Sequence, residues 1–163
     1  MKGLLLGLIF VSFFVVGEEK QGSAYPVFVD CNDQDTTLCQ KAKSGDPIAQ
    51  LNLGELYDDG ELADRDYSKA RYWYELSANQ GNATAQLYLG VLYASGVTGS
   101  VDYDKARSMW ELAAKQDNAI AQYNLGQLYA EGRGVKQDDA LTRNLFEKSC
   151  DNGFRPACDR LKQ

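Results

Sequence analysis

Apolar positions along the chain first form one run, Gly3 to Val16, interrupted only by Ser12, and then settle into a pattern that returns every 36 residues. Three segments align without a gap: AQLNLGELYDDG from Ala49, AQLYLGVLYASG from Ala85 and AQYNLGQLYAEG from Ala121. The halves that follow keep the same offset, with KARYWYELSANQG from Lys69, KARSMWELAAKQD from Lys105 and LTRNLFEKSCDNG from Leu141. A fourth copy begins at Ala157 and the sequence ends six residues later. Within each copy the apolar residues recur at helical spacing, as in Leu53, Leu56 and Tyr57, then Tyr72, Trp73 and Leu76, so each copy reads as two helices.

Capping residues mark the ends of these helices. Asp46, Asn82 and Asn118 suit the N-caps of the first helices, with Pro47 as a favoured first helical residue. Gly60, Gly96 and Gly132 suit the left-handed turn that closes them. Asp66, Asp102 and Asp138 open the second helices, which end at Gly81, Asp117 and Gly153. Small residues also repeat, at Ala49, Gly54 and Ala70 and their equivalents, and predict sites where facing backbones approach closely. A glycine inside a helix costs about 1 kcal/mol against alanine, so Gly54, Gly90 and Gly126 at one register require a packing reason. Tyr57, Tyr93 and Tyr129 are expected to fill the groove between successive units.

This pattern resembles the Sel-1-like repeat family, a relative of the tetratricopeptide repeat. Copy three carries AQYNLGQLYAEGRGV and Asp138, and copy one carries Lys69, Ala70, Trp73 and Tyr74 of the KA..WY element. Copies one and two depart at the second loop glycine (Leu62 and Thr98), and copy three has Leu141 and Thr142 in place of KA. The resemblance implies an all-α, right-handed α-solenoid of three 36-residue helix-pair repeats with half-repeat caps at each end. The units are 46–81, 82–117 and 118–153. A half-helix cap over Thr36 to Ser44 ends the segment 18–45, and a cap helix occupies 154–163. First helices are then expected to line a concave face, and members of the family act mainly as adaptors or regulators of protein complexes.

The leading run changes where such a protein would work. One lysine, an apolar core and a small residue at Gly17 describe a secretory signal peptide over 1–17, with cleavage after Gly17 or Ala24; an uncleaved anchor is the alternative. Its loss leaves 16 basic against 23 acidic residues, a net charge of −7. That balance excludes nucleic acid and anionic lipid as natural partners. The expectation is a periplasmic or secreted monomer without a membrane span after cleavage.

Four cysteines in an exported chain read as disulfides, with three connectivities open. Cys31 and Cys39 lie before the stacked units, and Cys150 and Cys158 at their far end, while a disulfide needs Cα atoms within about 7 Å. Local pairs, Cys31–Cys39 and Cys150–Cys158, fit that geometry. The second pair also resembles the cysteine-rich branch of the family, whereas the first rests on parity and proximity. The competing four-cysteine zinc site would have to join the two ends.

Candidate chemistry is sparse. With no histidine, nucleophile pairs of the Ser-His or Cys-His kind are excluded. The S-x-x-K and K-T-G elements of β-lactam chemistry, proposed for some cysteine-rich relatives, are missing, as are phosphate loops and dinucleotide fingerprints. The chain is expected not to be an enzyme and to carry no cofactor or metal. Asp58–Asp59 reads as solvated surface at a helix end, and Asn82-Ala83-Thr84, a formal glycosylation sequon, as an N-cap. What remains is a set of positions outside the core pattern: Asn52, Glu55 and Asp59; Tyr88, Val91 and Ser95; Asn124, Gln127 and Glu131. By the family geometry these face along the concave groove, with Tyr88 and Val91 as an apolar centre. The sequence thus points to an exported adaptor that binds a protein or peptide, with an immunity protein against a secreted toxin or envelope enzyme as the alternative.

Overall fold

A computed structural model describes residue 31 and residues 36–60 and 65–162. The leader over 1–17, the segment 18–30 and Leu62 of the first loop lie outside the described residues. Eight helices follow in order among those described: α1 (Thr37–Lys43), α2 (Pro47–Asp59), α3 (Tyr67–Asn79), α4 (Ala83–Ser95), α5 (Tyr103–Ala114), α6 (Ala119–Glu131), α7 (Asp139–Asp151) and α8 (Arg155–Arg160). Each packs against its chain neighbours, so α2–α3, α4–α5 and α6–α7 form three stacked hairpins, with α1 and α8 as single-helix caps. No strand occurs among the described residues.

The ends are built as the sequence dictates. Asp46 accepts hydrogen bonds from the backbone N–H groups of Ile48 and Ala49 at 2.8 and 3.0 Å. Asn82 and Asn118 accept from Ala85 and Ala121 at 3.0 Å. Such caps satisfy helical donors that have no partner within the helix. Gly60, Gly96 and Gly132 adopt φ of 76°, 70° and 65°. The chain then turns so that Asp66, Asp102 and Asp138 donate their N–H to the carbonyls of Tyr57, Tyr93 and Tyr129. At the second-helix ends, Gly81 and Gly153 take positive φ, and Asp117 holds φ 58° at the same register.

The repeated glycines face aromatic rings, not the backbone approach expected from their size. A Cβ added to Gly54, Gly90 or Gly126 would fall closer than 3.0 Å to the ring of Tyr74, Trp110 or Phe146, respectively. One residue per second helix, 36 apart, thus lies on the first helix of its own hairpin. The sequence placed Tyr72 in the core, but it is 55% exposed while Tyr74 is 1% exposed. At 100° per residue, Tyr74 returns to the face of buried Ala70, whereas Tyr72 points to the opposite side. Between units, the Tyr93 hydroxyl donates to Glu75 Oε1 of α3 at 3.2 Å; within units, Lys69 and Lys105 sit over the rings of Tyr57 and Tyr93. These contacts give the Lys of the KA element a structural role.

A buried amide ladder also joins the units. Gln50, Gln86 and Gln122 are at most 4% exposed. Their Nε2 groups donate to the carbonyls of Ala42, Ala78 and Ala114 at 3.1, 3.2 and 3.2 Å. Their Oε1 atoms accept from Gln80, Gln116 and Asn152 at 2.7, 2.9 and 2.9 Å. Each amide therefore ties the end of the preceding hairpin to its own, which satisfies polar groups that would be costly to bury unpaired. One register further on, Cys158 takes the glutamine position and Cys150 the alanine position. A disulfide with Cα atoms 4.8 Å apart stands there instead. Cys31–Cys39 is likewise bonded, at 5.5 Å, so no thiolate remains for a four-cysteine zinc site.

Candidate functional site

The nine positions singled out on the first helices fall into two hollows that share α4 as a wall. The first, about 390 Å³, is lined by Asn52, Glu55 and Asp59 of α2 and Tyr88 of α4. Leu56, Asp58 and Tyr74 complete it. The second, about 450 Å³, is lined by Val91 and Ser95 of α4 and by Asn124, Gln127 and Glu131 of α6. Ala94, Tyr103, Trp110, Leu128 and Arg133 complete that one. Tyr88 and Val91, read as a single apolar centre, lie one helical turn apart and open into different hollows. Helix geometry explains the split, because three residues along a helix turn the side chain by about 60°.

The two hollows differ in charge. In the first, the Tyr74 hydroxyl donates to Asp58 Oδ2 at 3.3 Å, and the Tyr88 hydroxyl interacts electrostatically with the Glu55 carboxyl. Burial lifts the Glu55 carboxyl above its ordinary value of 4.5, with the Asp59 charge adding to the effect. Asp58 rises above 3.8, again through burial first. The Tyr74 and Tyr88 hydroxyls are pushed up by burial and by the carboxylates around them. Asp58 is therefore half-buried and partnered, not the solvated surface residue that its place at a helix end suggested; Asp59 is exposed.

In the second hollow the Trp110 indole N–H is spent on the Leu87 carbonyl at 3.2 Å, so the ring presents carbon to the opening. Val91 is 43% exposed there. Glu131 is ion-paired with Arg133, whose guanidinium lies over the Tyr103 ring. The side chain of Gln127 donates to the Tyr123 hydroxyl at 3.0 Å.

Asp58, Tyr74, Tyr103 and Trp110 were not among the expected lining residues. Tyr74 and Trp110 share a register 36 apart opposite the helical glycines, and that pairing is the signal that would have found them. Among the described residues, no group of three or more cysteine or acidic side chains is arranged to hold a metal ion, and no helix is long and apolar enough to cross a membrane.

The family model of the Sel1 repeat matches residues 47–82, 83–118 and 119–154. The chain is similar to a Sel1 repeat protein from Oxalobacter formigenes, with 34% identity and a TM-score of 0.69 over 77% of this chain and 94% of that one. It is also similar to a protective antigen present in uropathogenic Escherichia coli strains that displays an SLR fold. There the identity is 33% and the TM-score 0.73, over 76% of this chain and 27% of that one. Cysteine rich protein B of Helicobacter pylori shares the fold at 20% identity, with a TM-score of 0.59 over 78% of this chain and 98% of that one. No curated protein matches the chain.

Proposed function

The chain belongs to the Sel1 repeat family, whose members generally serve as protein-interaction adaptors, and from that premise we propose that it is an exported adaptor binding a protein or peptide along its first-helix face. The observation that carries this reading is the pair of adjoining hollows, whose rims carry polar side chains around aromatic ones. Aromatic anchors surrounded by adaptable polar groups are what protein interfaces use. Export is supported by the apolar leader over residues 1–17 and by two disulfides, a bond type that persists in oxidising compartments. Binding, not catalysis, is the proposed activity.

The test is retention of a partner from envelope extract by the oxidised chain, beside a Tyr88→Ala/Asn124→Ala variant. Because the Tyr88 ring lies 5.4 Å from that of Tyr74, that variant also loses packing. A second variant, Val91→Asp, alters the exposed lining and leaves the core alone. Loss of one partner in both variants, with an unchanged melting temperature for Val91→Asp, supports the adaptor. Retention in both variants overturns it.

A further inference from the structure

The two hollows differ in charge, and the difference bears on what they would hold. Glu55, Asp58 and Asp59 of α2 correspond, 36 residues on, to Val91, Ala94 and Ser95 of α4, and then to Gln127, Ala130 and Glu131 of α6. Only the first unit gathers three carboxylates on this face. They stand where they cost stability, since the last turn of α2 contains no basic residue and a helix C-terminus already carries partial negative charge. Among the described residues, no lysine or arginine is in a salt bridge with them. Arg65 acts on Asp58 only at longer range, and its guanidinium is held by the Tyr67 hydroxyl at 3.0 Å. Acidic groups placed against the interests of the fold, in a hollow walled by Tyr74 and Tyr88, mark a place where function overrides local stability.

The neighbouring hollow is complementary. Val91, Tyr103, Trp110 and Leu128 supply its apolar surface beside the uncharged Ser95, Asn124 and Gln127, and its one acid, Glu131, is neutralised by Arg133. The two hollows share α4 as a wall, and a helix with its side chains is about 10 Å across. An extended chain advancing about 3.3 Å per residue covers that distance in about three residues.

We propose that the groove holds an extended peptide segment of a partner protein, with a lysine or arginine side chain in the Glu55–Asp58–Asp59 hollow and an aliphatic or aromatic side chain about three residues away against Val91, Trp110 and Leu128. This rests on the protein-binding reading above and names the chemistry that reading leaves open. The cation offsets part of the charge of three carboxylates and lies against tyrosine faces, an arrangement that attracts lysine and arginine. The chain's net charge of −6 favours encounter with a basic segment.

The test uses a library of random dodecapeptides displayed on phage and selected on the immobilised, oxidised chain. The expected result is enrichment of peptides with a basic residue two to four positions from a large apolar one. Their affinity falls with added salt, and falls at least about tenfold on the isosteric Glu55→Gln/Asp58→Asn variant. Selected peptides that lack a basic residue yet are lost on Val91→Asp overturn this inference and leave the adaptor standing. Peptides that bind Val91→Asp and Tyr88→Ala/Asn124→Ala as well as the parent overturn both, as does the absence of any enrichment.

Discussion

Replacing Gly90 by alanine separates two physical effects of opposite sign. Helix propensity alone favours the change by about 1 kcal/mol, because glycine loses more backbone freedom on folding. The structure opposes it. A Cβ at position 90 would meet Trp110 Cδ1 at 2.6 Å and Cε2 at 3.0 Å, where ordinary carbon contacts lie near 3.5–4.0 Å. The indole must retreat by most of an ångström. It is 7% exposed and tethered through its N–H to the Leu87 carbonyl, so it cannot move away without leaving that N–H short of its partner. Overpacking of this kind costs roughly 1–3 kcal/mol, and losing the hydrogen bond adds about 1 kcal/mol. After the propensity gain, the net expectation is a loss of about 1–3 kcal/mol. For a chain of this size that lowers the melting temperature by about 3–9 °C. Thermal unfolding of the oxidised protein, followed by circular dichroism and by tryptophan emission, measures it. Emission from Trp110 should change in the folded state as well. An equal or higher midpoint for Gly90→Ala would refute the ring-seat explanation of the repeated glycine.

Replacing Cys150 and Cys158 by serine should destabilise the C-terminal hairpin by about 2.5 kcal/mol, the chain-entropy value for so short a loop, seen as earlier loss of protection in α7 and α8 by hydrogen exchange. Asp117→Gly should stabilise the fold by about 0.5–1 kcal/mol and so raise the melting temperature slightly, because φ 58° suits glycine better than an L side chain; a lower midpoint would contradict it. The Glu55→Gln/Asp58→Asn variant should be at least as stable as the parent at neutral pH. Both carboxyls sit above their ordinary values of 4.5 and 3.8 when folded. The folded chain thus binds their protons more readily than the unfolded chain, and their contribution to stability falls as pH rises through the raised values. The variant's advantage should therefore vanish in acid, below the ordinary carboxyl values. Melts across that pH range that show a constant difference would count against the acidic hollow.

The 36-residue repeat, the hairpin units and their caps are legible in the sequence because they are local. Asp46, Asn82 and Asn118 act on backbone groups two or three residues away, and Gly60, Gly96 and Gly132 act through their own φ. Family membership follows from the same short-range pattern. What the residues do across helices was not local and was read less well. Tyr72 and Tyr74 look alike in sequence; only the rotation of α3 against α2 decides which one is buried on Gly54. Gln50, Gln86 and Gln122 look like surface amides until three helix ends converge on each. Their burial depends on partners eight residues before and thirty residues after. Asp58 becomes a partnered, half-buried acid only because the Tyr74 hydroxyl arrives from the neighbouring helix. The nine first-helix positions could be named from periodicity, since it identifies which residues avoid the core. Periodicity says nothing of what stands opposite them. The division into an acidic hollow and a charge-balanced one was decided by the second-helix aromatics and by the turn of α4, which places Tyr88 and Val91 on different sides of the same wall.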